Sequence, residues 1–412
     1  LKKAILIVAL LVATMLIVLA LYYVFFRSEG IPTNDNVNGM INGQLPNTNA
    51  ITNRPVTDLN ANITLPGDGT PYLLPPDEVA TGRETIAQTL VPEGATNMTL
   101  GPSGNDLQYY DIARGQFYRL SADGKTKQLL SPNTFAQVQN VTWTPNGNMA
   151  IMEFPDDSKI LYDFSRSLQV TLPLELEDFS FSPDSNKMVF KFLGATAEDQ
   201  WLAVANPDGS DAKIVEVLGD QADHVESNWS PNQQVVATYS KSVSLNQQEI
   251  IFLGQDNENF KSLTVNGRGF SGQWSPSGEL MLYSVYNDLT NYNPVLNITQ
   301  AKGDSIGQNN YSLDVQTWPD KCVFGTTGSS VICAVPTFMP SGSGLHPELA
   351  TGQPDELYEI DLSTGYQRLL ARPVADDGVT RYTMTNMRLS ESGDKLFFVE
   401  ATTGELLSVR LR

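Results

Sequence analysis

Two histidines, His224 and His346, stand far apart in the chain. No His-Glu-x-x-His, Gly-x-Ser-x-Gly or Cys-x-x-Cys spacing accompanies them. Zinc and histidine-based nucleophilic catalysis need such clustering, so no catalytic residue, metal ligand or cofactor is expected. Residues 267–272 read GRGFSG and match Gly-x-Gly-x-x-Gly. A dinucleotide loop of that form must follow a parallel strand and open a helix. The next residues, QWSPSG, open neither, so Gly267, Gly269 and Gly272 read as loop glycines.

The two cysteines frame CVFGTTGSSVIC, and in a hairpin Cys322 and Cys333 would face each other across antiparallel strands. A disulfide there suits an oxidising compartment. The alternative is a pair of buried free thiols.

Carboxylates form the remaining candidate chemistry. Asp156, Asp157, Glu198, Asp199, Asp220, Asp223, Glu226, Asp288, Asp376 and Asp377 fall in or beside the longer connections, and are the candidate partner-binding face. The bland reading for each is a solvated surface acid. No Asp-x-Asp-x-Asp-Gly calcium loop is present,. The net charge of -20 argues against nucleic acid, which needs a basic surface to displace phosphate counterions,. Asn-x-Ser/Thr sequons occur at Asn62, Asn97, Asn140, Asn228 and Asn297. Asn228 directly precedes a core tryptophan, so these read as accidental.

The elements that position those residues come from a repeat. TWTPNGNMAIMEF, SFSPDSNKMVFKF, NWSPNQQVVATYS and QWSPSGELMLYSV share one grammar. A large apolar anchor comes first, then Ser/Thr-Pro, a small polar residue and often Gly. The anchors are Trp143, Phe181, Trp229 and Trp274, with Leu100, Phe324 and Leu389 in weaker copies. Proline presets φ and glycine accepts positive φ, so each motif is a tight turn joining two strands. The apolar run after the turn should be buried on both faces. A second hairpin follows, as in WLAVANPDGSDAKIVEVL and ELYEIDLSTGYQRLLA.

Four strands recurring every 38 to 65 residues describe an all-β protein, a β-propeller of seven four-stranded blades,. Six or eight blades remain open, because two anchors are weak. The last repeat stops after its third strand, and ETIAQTLVPEG resembles the missing fourth. Residues 84–92 should therefore close the last blade and the ring,.

Ser-Pro-Asp after an aromatic anchor, with NPDGSDAKIVEV in an outer hairpin, resembles the TolB-type, WD-like propeller repeats of bacterial envelope proteins. The resemblance covers residues 84–412. The Gly-His and Trp-Asp dipeptides of true WD repeats are absent, as is an α/β domain ahead of the propeller. The repeat implies the fold, while propellers carry many unrelated activities.

Ahead of it, residues 4–26 form an uncharged apolar run long enough to cross a bilayer of ~30 Å,. Lys2 and Lys3 on one side and Tyr22 and Tyr23 on the other predict a cytoplasmic N-terminus,. The rival is a cleaved signal peptide, whose apolar core would be shorter. The domain reading is thus a transmembrane signal-anchor helix over 1–27, a flexible Asn/Pro/Gly-rich linker over 28–83, and the propeller over 84–412. The linker should reach the short-turn face, leaving the long connections pointing away from the membrane.

These features predict a non-enzymatic, single-pass membrane protein whose propeller lies outside the cytoplasm, in the periplasm or at the cell surface. There it would act as a scaffold for an envelope protein or cell-wall component. The alternative is a glycosidase- or lyase-type enzyme using acids at the central channel.

Overall fold

The structure, a computed structural model, describes residues 74–412 apart from 93 and 257. The expected transmembrane helix, and the linker up to residue 73, lie outside the described residues. Among the described residues no helix is long and apolar enough to cross a membrane.

Almost every element is a strand. β1 spans Glu84–Val91. The first sheet holds β2 (Ala95–Leu100), β3 (Leu107–Asp111), β4 (Gln116–Leu120) and β5 (Lys127–Leu129). The second holds β6 (Asn140–Trp143), β7 (Met149–Glu153), β8 (Lys159–Asp163) and β9 (Leu168–Leu172). The third holds β10 (Leu176–Phe181), β11 (Met188–Leu193), β12 (Gln200–Ala205) and β13 (Lys213–Val217). The fourth holds β14 (Val225–Ser227), β15 (Ala237–Ser244), β16 (Gln247–Leu253) and β17 (Leu263–Val265). The fifth holds β18 (Arg268–Trp274), β19 (Leu280–Tyr286), β20 (Val295–Gln300) and β21 (Tyr311–Ser312).

The sixth sheet has eight strands. β22 (Cys322–Phe324), β23 (Ser330–Pro336), β24 (Asp355–Asp361) and β25 (Gln367–Val374) run outward in order. β26 (Met384–Leu389), β27 (Lys395–Glu400) and β28 (Leu406–Arg410) form the other side. β1 joins the halves. It pairs antiparallel with β28, as the closing strand expected from the sequence, and in parallel with β25 through Glu84, Thr85 and Ile86. Two otherwise open edges are covered by one strand.

The repeated motif explains this regularity. In QWSPSG, Gly278 N–H donates to Ser275 O at 2.8 Å, and the Ser275 hydroxyl accepts from Leu280 N at 3.0 Å. The same closing bond links Gly147 to Thr144, Ser185 to Ser182, Gln233 to Ser230 and Gly393 to Ser390. Ser185 and Gln233 occupy the left-handed position that glycine fills elsewhere, with φ of 62° and 61°. Beyond each turn comes a buried strand, such as Ala150, Ile151 and Met152 in β7 or Phe397 and Phe398 in β27.

Apolar side chains fill the spaces between successive sheets. Val189, Leu202 and Val204 of the third sheet meet Trp229, Val236 and Ala237 of the fourth. Phe397, Val399 and Leu406 at the chain's end meet Met98, Leu107 and Tyr109 near its start. The first strands touch in cyclic order, β26 against β2, β2 against β6, β6 against β10 and β10 against β14. Burial therefore comes from neighbours, and first and last sheets supply each other's cover. The Cys322–Cys333 disulfide is formed, joining paired positions of β22 and β23.

Within the last strand set β1 starts from the short-turn side, as expected: Ala87 pairs with Val409 and Val91 with Leu406, Ala80 N donates to Arg410 O at 2.9 Å, and Leu411 N donates to Asp394 O of the short turn at 2.7 Å. Glu84 pairs with Arg372, Arg372 bonds Glu356 at the base of the 337–354 connection, and Arg381 approaches Glu84 at 3.6 Å. The other edge of β1 thus borders the far end of β25, because β1 is shared between two strand sets rather than confined to one.

Candidate functional site: a stitched loop face

Every expected anchor lies at or just past the end of a first strand. Leu100, Trp143, Phe181, Trp274, Phe324 and Leu389 are terminal residues of β2, β6, β10, β18, β22 and β26, and Trp229 follows β14 by two residues. Phe181, Trp229, Trp274 and Phe324 are buried, while Leu100, Trp143 and Leu389 are half-buried.

A feature not anticipated from the sequence sits three residues before some of these anchors. Asn97, Asp178 and Asn386 are left-handed, with φ of 48°, 56° and 48°. Each opens a bulge in which two residues oppose one on the next strand. Glycine, Asn and Asp tolerate that conformation best. The signal was present, since TNMTL at 96–100 and TNMRL at 385–389 are nearly the same word. Gly269 opens a similar bulge in β18. Gly267 lies just before that strand, and Gly269 and Gly272 lie within it rather than in a loop. A Cβ at Gly269 would stand 2.2 Å from the Tyr286 ring, so close strand approach accounts for this glycine.

The candidate acids separate into several places. Glu198 and Asp199, in the short 3-10 turn Ala197–Asp199, meet the turn Gly219–His224 that carries Asp220 and Asp223. Asp156 and Asp157 lie on the β7–β8 connection, Asp288 on β19–β20, and Asp376 and Asp377 on β25–β26. Two of them cap their own turns. Asp156 accepts from Ser158 N–H and O–H at 3.2 and 2.6 Å, and Asp377 from Val379 N and Thr380 N at 2.8 and 2.9 Å. Those bonds hold both carboxyls below their ordinary range.

Glu226 is not a loop residue. It lies on β14, the first strand of the fourth sheet, and is exposed between the buried Val225 and Ser227. Loss of bulk solvation, then the nearby Asp178 carboxylate, raise its pKa to about 7 against the pull of Lys191. Asp178 itself is engaged, accepting from Ser227 N at 2.8 Å and facing Lys191 Nζ at 3.2 Å. Near the neighbouring first strands, partial loss of solvation likewise raises the pKa of the exposed Asp320 and lowers that of the half-buried Arg388.

The most distinctive surface lies on the connections of the fourth, fifth and sixth sheets. Leu245 at the β15–β16 turn, Leu289 and Tyr292 on β19–β20, and Phe338, Leu345 and Leu349 on β23–β24 are all exposed, Leu289 at 89 % and Phe338 at 61 %. The loops are fastened together. Gly342 N donates to Asn291 O at 2.9 Å and Gly344 N to Tyr292 O at 2.8 Å. Asn293 Nδ2 donates to Met339 O at 3.3 Å, and Asn246 Nδ2 to Asp288 Oδ1 at 2.9 Å. Asn291 and Tyr292 are both left-handed, with φ of 53° and 56°. That conformation is costly for a bulky residue such as tyrosine. It coincides with both their carbonyls accepting from the neighbouring loop.

No family model matches the chain, and no curated protein matches its sequence. Among solved structures it is similar to the β-propeller domain of Myceliophteria thermophila Cps50 (Swd1), at 13% identity and a TM-score of 0.51, over 79% of this chain and 100% of that one. It is also similar to an oligogalacturonate lyase in complex with manganese, at 11% identity and 0.46, over 79% and 90%. A third likeness is the oligogalacturonate lyase of Vibrio parahaemolyticus, at 12% and 0.45, over 79% and 90%. The fold is that of a β-propeller. The narrower likeness to TolB-type repeats rests on the sequence motifs alone.

Proposed function

We infer that the chain is a non-enzymatic binding module, a TolB-type propeller of seven blades presented outside the cytoplasm by an N-terminal membrane anchor. The count treats the eight-stranded sheet as two blades, β22–β25 and β26–β28 with β1. The carrying observation is the row of exposed apolar side chains on three loops fastened to one another. Contiguous apolar surface that solvent would otherwise disfavour marks an interaction site, and a rigid scaffold under it lowers the cost of binding. The partner is an envelope protein or cell-wall component.

The test is a photo-crosslinking amino acid placed in the full chain in host cells, at 289 or 338 on the loop face and at 125 or 277 on the opposite turns. A discrete adduct from the first pair alone is the expected result. Adducts from the turns alone would overturn the reading.

A second reading, carboxylate chemistry at the axis, is favoured by one observation, the raised pKa of Glu226 beside Asp178. It requires hydrolysis or elimination of a glycan substrate that Glu226→Gln abolishes.

A further inference from the structure

The loop face has a charge character as well as an apolar one. Segments 287–294 and 337–354 carry Leu289, Tyr292, Phe338, Leu345 and Leu349, together with Asp288 and Glu348, and contain no Lys or Arg. Of the cations around it, Lys241 pairs with Glu249 at 3.7 Å and Arg381 with Glu84 at 3.6 Å, while Arg268, opposite Tyr286 on β19, is half-buried. His346 sits on Glu348 at 3.1 Å. An apolar surface edged by carboxylates, on a chain of net charge -20, repels anionic lipid,. It also repels its own copy, because a two-fold contact would set the same carboxylates against each other.

Resting on the reading of this face as a docking surface, we propose that its occupant is a polypeptide segment with apolar side chains flanked by Lys or Arg. The apolar side chains of the segment lie over Leu289, Tyr292 and Phe338, and its cations meet Asp288 and Glu348. The lateral hydrogen bonds fix the loops beforehand, so little backbone ordering is needed on this side. The carboxylates select the partner's charge and speed its encounter more than they add affinity.

The full chain in zwitterionic nanodiscs is titrated with two fluorescent synthetic helices. One has Leu on one face and Lys on the other, and its counterpart carries Glu in place of Lys. The Lys helix should bind more tightly. Leu289→Ser with Phe338→Ser should weaken it about tenfold, as for loss of interface anchors. Asp288→Asn with Glu348→Gln should weaken it about threefold to tenfold, and Asp288→Lys with Glu348→Lys should reverse the preference between helices. All four positions are exposed, so folding is expected to survive, and an unchanged circular dichroism melt checks it.

If the apolar variant weakens binding and the acid variants do not, the partner chemistry is wrong while the docking face stands. If no variant alters binding, attraction arises from bulk charge and both fall. Failure of the Lys helix to bind also overturns the proposal. So does vesicle binding that is lost on Leu289→Ser with Phe338→Ser, which would make the face a membrane contact.

Discussion

The indole N–H of Trp143 donates to the backbone carbonyl of Asn97 at 2.7 Å, across the boundary between the first and second sheets. Asn97 is the left-handed residue of the β2 bulge, and its amide also donates to Asn140 at 2.9 Å. The Trp274 indole makes the same kind of link to Asn228 O at 3.1 Å. An anchor in one sheet thus holds the first strand of the sheet before it.

Substitution at Asn97 separates backbone from side chain. Asn97→Gly keeps the left-handed conformation and should cost little. Asn97→Ala should cost about 1–2 kcal/mol from the conformation alone, and Trp143→Phe about 1 kcal/mol from the lost hydrogen bond. Urea titrations of the three variants check the order.

Reduction should weaken the sixth sheet. The Cys322–Cys333 bond closes a short loop within a buried hairpin, so Cys322→Ser with Cys333→Ser should cost about 2–4 kcal/mol,. Thermal melts with and without a thiol reductant measure it. The wild type should show the reductant effect and the double variant should not.

The turn motif, the anchors, the disulfide and the closing strand were all legible, because each is a local pattern with a direct backbone meaning. The parallel pairing of β1 with β25 was not, since it depends on how two adjacent strand sets meet rather than on any alternation within ETIAQTLV. The acids take roles that their positions in sequence do not announce: Asp156 and Asp377 cap their own turns, and Glu226, read as a loop residue, lies on β14. The apolar loop residues were visible in NDLTNYNP and TFMPSGSGLHPEL. Nothing in sequence said that Gly342 and Gly344 would fasten one of these loops to the other.

Loss of β1 should turn a closed ring into an open one. Deleting residues 84–91 from the full chain frees the β28 edge from Leu406 to Val409 and the β25 edge from Arg372 to Val374. Exposed edges template association. Light scattering coupled to size-exclusion chromatography should show oligomers for the deletion and no such shift for Leu90→Ser, a half-buried position of the same strand.

The Glu226 carboxyl should make stability depend on pH near neutrality. Its folded pKa, about 7, lies above the ordinary glutamate value of 4.5, so between those values the folded state holds more protons than the unfolded state. Stability from this group is therefore fully present below about 4.5 and is lost as pH rises through about 7,. Contact with solvent screens the effect, so it is smaller than the shift alone implies. Glu226→Gln removes the titration without adding a charge beside Asp178. The variant should melt near the wild-type temperature at pH 4 and above it at pH 8. An equal difference at both values would show that the Glu226 charge is not what burial and Asp178 oppose.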